Sequence, residues 1–187
     1  MGRVRLDSPP PLYHGNQESN RAVPAPFSRS GPPMEAVVLI GIQASGKSTF
    51  YCARFFDTHV RISLDMLRTR RRERVLLEAC IEAKQPFVVD NTCVTREERA
   101  RYLGPARAAG FRVAGYFFEP DPGGAARRNA ARPEAGRVPP AGLFGTLKRL
   151  RRPALDEGFD ELHRVLLAEG GGFRVEPWPG APPAENG

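Results

Sequence analysis

Cysteine, histidine and long apolar runs are all scarce in this 187-residue chain. Its three cysteines form no C-x-x-C pair, which argues against a disulfide framework and against a zinc site. Its three histidines share no metal-ligand spacing. No apolar run approaches the roughly 18 residues needed to span a bilayer, and the N-terminus lacks an apolar signal segment. We therefore expect a soluble, cytoplasmic protein with no membrane partner and no structural metal.

Positive charge is abundant, with a formal net charge of +7 and a pI near 9.9. Such a surface favours polyanionic partners, nucleic acid among them. The high content of Arg, Ala, Gly and Pro is equally consistent with a compositional bias of the source genome. Charge alone therefore does not identify a partner, and the motifs must decide.

The two ends differ in composition from the middle of the chain. Residues 1–33 are rich in Pro, Ser, Asn and Arg and show no periodicity, which predicts a disordered leader. Met34 lies one residue before the first predicted strand, so translation starting there is an alternative hypothesis. Residues 177–187 predict a flexible tail. Residues 34–176 are of a length that suits one catalytic domain.

A glycine-rich loop, GIQASGKST, follows the apolar run Ala36–Ile40 and fits the phosphate-binding pattern G-x-x-x-x-G-K-[ST]. Its backbone N–H groups are expected to face the phosphates of ATP, with a helix beginning near Lys47. Lys47 would neutralise charge on the β- and γ-phosphates, and the Ser48 hydroxyl would bind Mg²⁺. The predicted ATP-binding residues are Gly41, Gln43, Ala44, Ser45, Gly46, Lys47, Ser48 and Thr49.

Strand and helix patterns alternate along the rest of the domain, which is typical of a mostly parallel sheet with crossover helices. The predicted fold class is α/β, a three-layer α/β/α P-loop NTPase sandwich with a short helical lid at about 121–141. Helical spacing predicts one long helix over 66–83 and a last helix over about 156–167. Residues 173–175 predict an edge strand.

Asp90 follows the apolar strand Phe87–Val89, so its carboxylate should emerge beside the loop, where it can hold Mg²⁺ or its water shell. The alternative is a turn aspartate that caps the backbone after the strand. Both roles are compatible with each other.

Asp65 ends another extended segment and precedes an arginine-rich helix. Its functional interpretation is a general base that takes the proton of an acceptor hydroxyl, and its structural alternative is a helix N-cap. Arg68 and Asn91 complete the predicted acceptor-binding set with Asp65. The arginines that follow, Arg70, Arg71, Arg72 and Arg74, lie where the phosphates of a nucleic acid acceptor would pass.

Arg128 and Arg132 are four residues apart and share one face of a short predicted helix. They are expected to close over ATP as a lid and to stabilise the transferred phosphoryl group, as an arginine finger does. The alternative is a solvated basic helix. The predicted catalytic residues are Asp65, Lys47, Arg132 and Arg128.

Together these motifs resemble the kinase domain of the polynucleotide 5'-hydroxyl kinase family over most of residues 35–165. The resemblance lies in the phosphate-binding loop, in Ile62–Asp65, in Val88–Thr92 and in Arg128–Arg132. It implies that Lys47 and Ser48 hold phosphates and magnesium, that Asp65 activates the 5'-hydroxyl and that Arg132 contacts the transferred phosphate. The chain departs from the family at Leu64, where Arg is frequent, and at Cys93, where Asn is frequent. It also lacks a D-x-D phosphatase motif.

The leading hypothesis from the sequence is ATP-dependent phosphorylation of a 5'-hydroxyl end of DNA or RNA. The first alternative is a P-loop kinase that phosphorylates a small-molecule hydroxyl, because the loop does not specify the acceptor. The second is a nucleotide-binding regulator with negligible transfer that uses residues 1–33 as a partner-binding arm.

Overall fold

The structure is a computed structural model that describes residues 34–168 and 171–179. Six strands form one sheet among the described residues: β1 Glu35–Ile40, β2 Val60–Ile62, β3 Phe87–Val89, β4 Arg112–Phe118, β5 Glu161–Leu167 and β6 Phe173–Pro177. Their order is β2-β3-β1-β4-β5-β6. Strands β1 to β5 run parallel, and β6 pairs antiparallel with β5. The predicted leader lies outside the described residues.

The helices connect the parallel strands, as crossover connections require. They are α1 Lys47–Arg54, α2 Leu64–Leu67, α3 Arg70–Glu82, α4 Arg96–Ala108, α5 Pro122–Ala130 and α6 Pro140–Arg149, with 3₁₀ turns at Glu134–Gly136 and Leu155–Glu157. None of the helices within 34–168 and 171–179 is both long and apolar enough to cross a membrane.

Alternation along β1 shows why both faces of the sheet are covered. Ala36, Val38 and Ile40 pack with the buried side chains of α3 and α4. Val37 and Leu39 point to the opposite face and pack with α1. Successive side chains of a strand point to opposite faces, so a strand that is apolar throughout must be buried on both sides. The predicted α/β/α sandwich with a mostly parallel sheet is confirmed.

The predicted single helix over 66–83 is wrong, because the chain forms two helices there. Arg68 ends α2 in the left-handed conformation, with φ of 68°. Thr69 then caps α3, its hydroxyl accepting the backbone N–H of Arg72 at 3.3 Å. This cap offers the backbone a partner outside the helix and so favours a new N-terminus over continuation. As a result Asp65 and the arginines of α3 lie on separate helices.

The predicted last helix is also wrong. Leu162, Val165 and Leu166 have helical spacing, yet they lie in strand β5. The backbone of β5 pairs with β4 from Glu161 to Val165, and Leu162 and Val165 are buried in the clusters on the two opposite faces of the sheet. Pairing with a distant strand overrides local periodicity here. The predicted edge strand is confirmed by β6.

The start of the predicted tail packs against the domain, whereas residues 180–187 lie outside the described part. Pro177 ends β6, and the backbone N–H of Trp178 donates to the carbonyl oxygen of Leu162 at 3.2 Å. The Trp178 ring meets Phe117 edge-on at 5.6 Å between centroids. The Arg152 guanidinium lies 5.3 Å from the Phe117 ring and 5.5 Å from the Trp178 ring. Through these contacts with Phe117 and Arg152, Trp178 packs the end of the sheet against the segment that follows α6.

Candidate active site

The phosphate-binding loop leaves the end of β1 and runs directly into α1. Gly46 adopts φ of 96°, a conformation that glycine reaches without a Cβ penalty. The backbone N–H of Gly41 donates to the carbonyl oxygen of Thr92 at 2.9 Å, which ties the loop to the segment after β3. The loop, the N-terminus of α1 and the end of β3 therefore form one edge of the site.

Lys47 extends its amine into this loop. Its Nζ donates to the carbonyl oxygens of Ile42 at 2.6 Å and Gly41 at 3.0 Å, and lies 3.3 Å from Ser45 Oγ. Burial lowers the pKa of Lys47 from 10.5 to about 8, against the opposing pull of the Asp90 carboxylate. The ammonium is therefore close to titration at neutral to mildly alkaline pH.

Nucleotide affinity is expected to fall as the pH rises through about 8, because Lys47 then loses the charge that attracts phosphate. Bound phosphates raise the pKa of Lys47, so binding near this pH should take up a proton. Calorimetric titration of ATP in two buffers of different ionisation enthalpy measures that uptake. Lys47→Met should remove it, whereas Lys148→Met on exposed surface should not. Binding by wild type without proton uptake would contradict the assignment.

Ser48 and Asp90 form the candidate metal site. Ser48 Oγ donates to Asp90 Oδ2 at 2.7 Å, and the Asp90 side chain is only 2% exposed. A hydroxyl oxygen beside a carboxylate oxygen is a donor set that suits Mg²⁺. In this structure both oxygens also contact Arg61, whose Nε lies 2.8 Å from Asp90 Oδ2 and whose Nη2 lies 3.1 Å from Ser48 Oγ. Ser48 and Asp90 therefore fit a magnesium site, and in this structure the Arg61 guanidinium contacts both of them.

Arg61 was missed by the sequence analysis. It lies in β2 between Val60 and Ile62, so a charged residue inside an otherwise apolar strand was the available signal. Its register partner in the sheet is Val88, two residues before Asp90. Only the pairing of β2 with β3 brings Arg61 beside the metal ligands.

On the acceptor side, Asp65 lies exposed in the first turn of α2, and Ser63 is the N-cap residue of that helix. The N-cap alternative for Asp65 is therefore wrong. Asn91 positions this helix, because its Oδ1 accepts the backbone N–H of Leu64 at 2.8 Å. The segment after β3 thus sets the location of the candidate base.

Behind Asn91 lies a buried network that sequence reasoning also missed. The Glu73 carboxylate accepts hydrogen bonds from Asn91 Nδ2 at 2.7 Å, from the Tyr102 hydroxyl at 2.8 Å and from Arg70 Nη1 at 2.7 Å. Burial, followed by nearby negative charge, raises the pKa of Tyr102, so its phenol remains a donor. The network holds the Asn91 amide in the orientation that binds α2.

In the predicted lid, α5 packs against the phosphate-binding loop. Arg128 Nε donates to the carbonyl oxygen of Ala44 at 2.8 Å, so Arg128 supports the loop backbone in this structure. The side-chain amide of the buried Asn129 donates to the carbonyl oxygen of Val138 and accepts the backbone N–H of Val138. These two hydrogen bonds hold the ends of the intervening segment together. Arg132 lines the cavity that Lys47 and Asp65 also line.

A cavity of about 570 Å³ brings most of the predicted residues together. Of the predicted set, only Gly41 and Arg128 do not line it. Its lining includes Gln43, Ala44, Ser45, Gly46, Lys47, Ser48, Thr49, Asp65, Arg68, Arg70, Asp90, Asn91 and Arg132. The ATP-side and acceptor-side predictions therefore meet in one space.

A second cavity, of about 620 Å³, lies between α3 and α4. We call this cavity the arginine groove, because four arginines line it together with Glu73, Leu77 and Tyr102. The arginines are Arg70, Arg71, Arg74 and Arg101. Arg70 lines both cavities. A groove lined by four arginines, of which Arg70 pairs with Glu73 and Arg74 with Glu78, therefore adjoins the cavity that Asp65 lines.

Several solved structures share this architecture. Kti12 of Chaetomium thermophilum in complex with ADP-AlF3 matches with a TM-score of 0.54 and 16% identity, over 72% of this chain and 89% of that one. A sugar kinase from Janibacter sp. HTCC2649 matches with 0.53 and 20%, over 72% and 85%. The AvrRxo1-ORF1:-ORF2 structure with ATP matches with 0.58 and 14%, over 78% and 58%. At these identities the likeness shows the fold.

The sequence also matches a family model. Residues 37–153, from β1 to the segment after α6, match the AAA_33 model, which describes an AAA domain. This stretch contains the phosphate-binding loop, both candidate acidic residues and the predicted lid. Because the match covers more than half of the sequence, this chain belongs to the AAA_33 family of AAA domains, and its fold is that of a P-loop NTPase.

Proposed function

We propose that this protein is an ATP-dependent kinase that transfers the γ-phosphoryl group to a 5'-hydroxyl end of DNA or RNA. The observation that carries this proposal is the arginine groove, which joins through Arg70 the cavity that holds the phosphate-binding loop and Asp65. The groove supplies a path for phosphates beyond the reacting hydroxyl. A small neutral acceptor has no phosphate groups that could bind these arginines.

The nucleotide end of the reaction rests on the loop. Lys47, buried beside the backbone N–H groups of the loop, attracts the β- and γ-phosphates of ATP. Mg²⁺ held by Ser48 and Asp90 would neutralise charge on the same phosphates. The Kti12 and AvrRxo1 structures with ADP-AlF3 and ATP support a nucleotide in a fold of this kind.

The transfer step assigns a role to three further residues. Asp65 accepts the proton of the 5'-hydroxyl as its oxygen bonds to the γ-phosphorus, and the bond from that phosphorus to the β–γ bridging oxygen breaks to release ADP. Arg132 stabilises the charge on the transferred group. Asn91 acts as a positioning residue, because it fixes the helix that carries Asp65. Positioning and electrostatics account for the rate without a covalent intermediate.

The chemistry of the groove favours contact with the acceptor backbone. Its single aromatic lining residue, Tyr102, is 3% exposed and donates its hydroxyl to Glu73, so its ring is not available for stacking on a base. Guanidinium groups bind phosphate through paired N–H donors. We therefore expect binding that is insensitive to base sequence and sensitive to salt.

A small-molecule hydroxyl is the second candidate acceptor, supported by the likeness to the Janibacter sugar kinase. Label transfer from γ-labelled ATP with Mg²⁺ separates the two. The acceptors are 5'-hydroxyl DNA and RNA oligonucleotides, their 5'-phosphorylated counterparts and a panel of sugars. Label on the 5'-hydroxyl oligonucleotides alone supports the proposal. Label on a sugar alone overturns it, and no label on any acceptor favours a regulator.

Neutralising the groove should weaken the binding of long acceptors. Replacing Arg71, Arg74 and Arg101 with Gln is expected to raise the KM of an oligonucleotide by about tenfold or more, with kcat near wild type. The slope of log affinity against log salt should fall by about 2, at about 0.7 for each lost phosphate contact on a single strand. Steady-state kinetics and fluorescence anisotropy measure the two effects.

The matched control removes the same charge elsewhere, through Arg96→Gln, Lys148→Gln and Arg151→Gln, which alter exposed residues outside both cavities. It should leave the KM and the salt slope near wild type. Equal losses in the two triple variants would mean that net charge, and not the groove, attracts the acceptor.

A further inference from the structure

We infer that the Arg61 guanidinium occupies the candidate metal site formed by Ser48 and Asp90. A divalent cation that enters with the nucleotide must then displace Arg61. The protein alone is then a poor binder of divalent cations. This inference concerns the nucleotide side of the site, so it holds whichever acceptor receives the phosphate. Three observations carry it: the burial of Asp90, the overlap of the contacts and the freedom of Arg61 to leave.

Burial makes a counter-charge necessary at Asp90. Its side chain is 2% exposed, and a buried carboxylate without a partner is strongly unfavourable. Among the described residues, its ion pair is with Arg61, whose Nη2 lies 2.5 Å from Asp90 Oδ2. Lys47 is nearby, but its amine is bonded to oxygen atoms of the loop. Arg61 therefore supplies the counter-charge beside the buried Asp90 side chain.

The contacts of Arg61 overlap those that a metal needs. The same guanidinium donates to Asp90 Oδ2 and to Ser48 Oγ, while the Ser48 hydroxyl donates a hydrogen bond to Asp90 Oδ2. Asp90 Oδ2 and Ser48 Oγ would hold a magnesium ion, and Arg61 already contacts both oxygens. The guanidinium and a divalent cation would therefore compete for these two oxygens, since like charges repel each other.

Arg61 is also placed to leave without disrupting the fold. It lies on β2, the edge strand of the sheet, and its side chain is 30% exposed. Its guanidinium is 5.5 Å from the Tyr51 ring, at the rim of the site. A rotation of the side chain toward solvent breaks contacts to two oxygens and leaves the backbone pairing with β3 intact.

The test measures Mn²⁺ binding to the protein without nucleotide, by electron paramagnetic resonance of free Mn²⁺ and by thermal shift. Wild type should bind weakly and gain little in Tm. Arg61→Met should have a lower Tm in EDTA, bind Mn²⁺ about tenfold or more tightly than wild type and recover Tm when Mn²⁺ is added. Adding Asp90→Asn to Arg61→Met should abolish that binding.

Arg54→Met is the matched control, because Arg54 also lies over an aromatic ring, 5.1 Å from the Phe50 centroid, but outside the metal site. It should bind Mn²⁺ as wild type does. Equal Mn²⁺ affinity in wild type and Arg61→Met overturns the inference, as does a gain in Arg54→Met of the same size. If Arg61→Met does not fold even with Mn²⁺, Arg61→Lys decides. Its single ammonium cannot reproduce both nitrogen contacts, so intermediate affinity supports the inference and wild-type affinity overturns it.

Discussion

Asp65→Asn is expected to lower kcat for phosphoryl transfer by about 100-fold or more while ATP binds with near wild-type affinity. An amide occupies the same volume as the carboxylate but cannot accept the proton of the acceptor hydroxyl. Asp65 lies exposed in the cavity with the phosphate-binding loop, so its replacement removes no buried contact. Single-turnover transfer and titration with a fluorescent ATP analogue measure the two quantities separately.

Asp57→Asn provides the control for this variant, since Asp57 is an exposed aspartate outside the cavity. It should transfer phosphate at the wild-type rate. Turnover of Asp65→Asn within a few-fold of wild type would remove Asp65 from the role of base. A loss confined to ATP affinity would instead assign Asp65 to the nucleotide.

Arg99→Met should reduce the free energy of unfolding by about 3–5 kcal/mol, a large share of the stability of a domain of this size. Arg99 is fully buried, and its Nε and Nη2 each donate to Glu157 at 2.6 Å. Its Nη1 reaches the carbonyl oxygens of Cys93 at 3.1 Å and Arg151 at 3.2 Å. The variant leaves the Glu157 side chain, which is 5% exposed, without its guanidinium partner, and of its hydrogen-bond donors only the Ala154 backbone N–H at 3.1 Å remains. Urea denaturation followed by circular dichroism measures the change.

A neighbouring ion pair between α4 and the 3₁₀ turn Leu155–Glu157 supplies the comparison. Arg96 faces Asp156 at 3.5 Å, but the two side chains are 56% and 70% exposed, so solvent screens the pair and Arg96→Met should have little effect. Replacing Arg99 with Met and Glu157 with Leu together should restore much of the lost stability, because no charge is then left buried. A small effect of Arg99→Met alone on the free energy of unfolding would contradict this prediction, because it would show that water solvates the Glu157 carboxylate in the variant.

The parts of the site that follow from local sequence were predictable. The phosphate-binding loop has a fixed pattern, and the strand before it is apolar throughout. The carboxyl ends of parallel strands meet at one edge of a sheet, which is why Asp65 and Asp90, each after an extended segment, were expected beside the loop. The structure places both in the cavity that Lys47 lines.

The features that could not be predicted depend on contacts between distant segments. Arg61 and Asp90 meet because β2 pairs with β3, and Glu73 meets Tyr102 because α3 packs against α4. The strand β5 has helical spacing in the sequence and is fixed by its pairing with β4. Hydrophobic periodicity describes only which side chains share a face, so it carries no information about the partner of a charged residue.

Trp178 is the only tryptophan of the chain, and it is packed between the sheet and the Arg152 guanidinium. The protein therefore contains an intrinsic fluorophore whose emission depends on one small region. Arg152 follows α6 by three residues, and α6 touches the loop through the bond from Gln43 to Thr146. We expect the ultraviolet emission of Trp178 to respond to changes in the phosphate-binding loop, and to shift to longer wavelength when Trp178 loses its packing against Phe117.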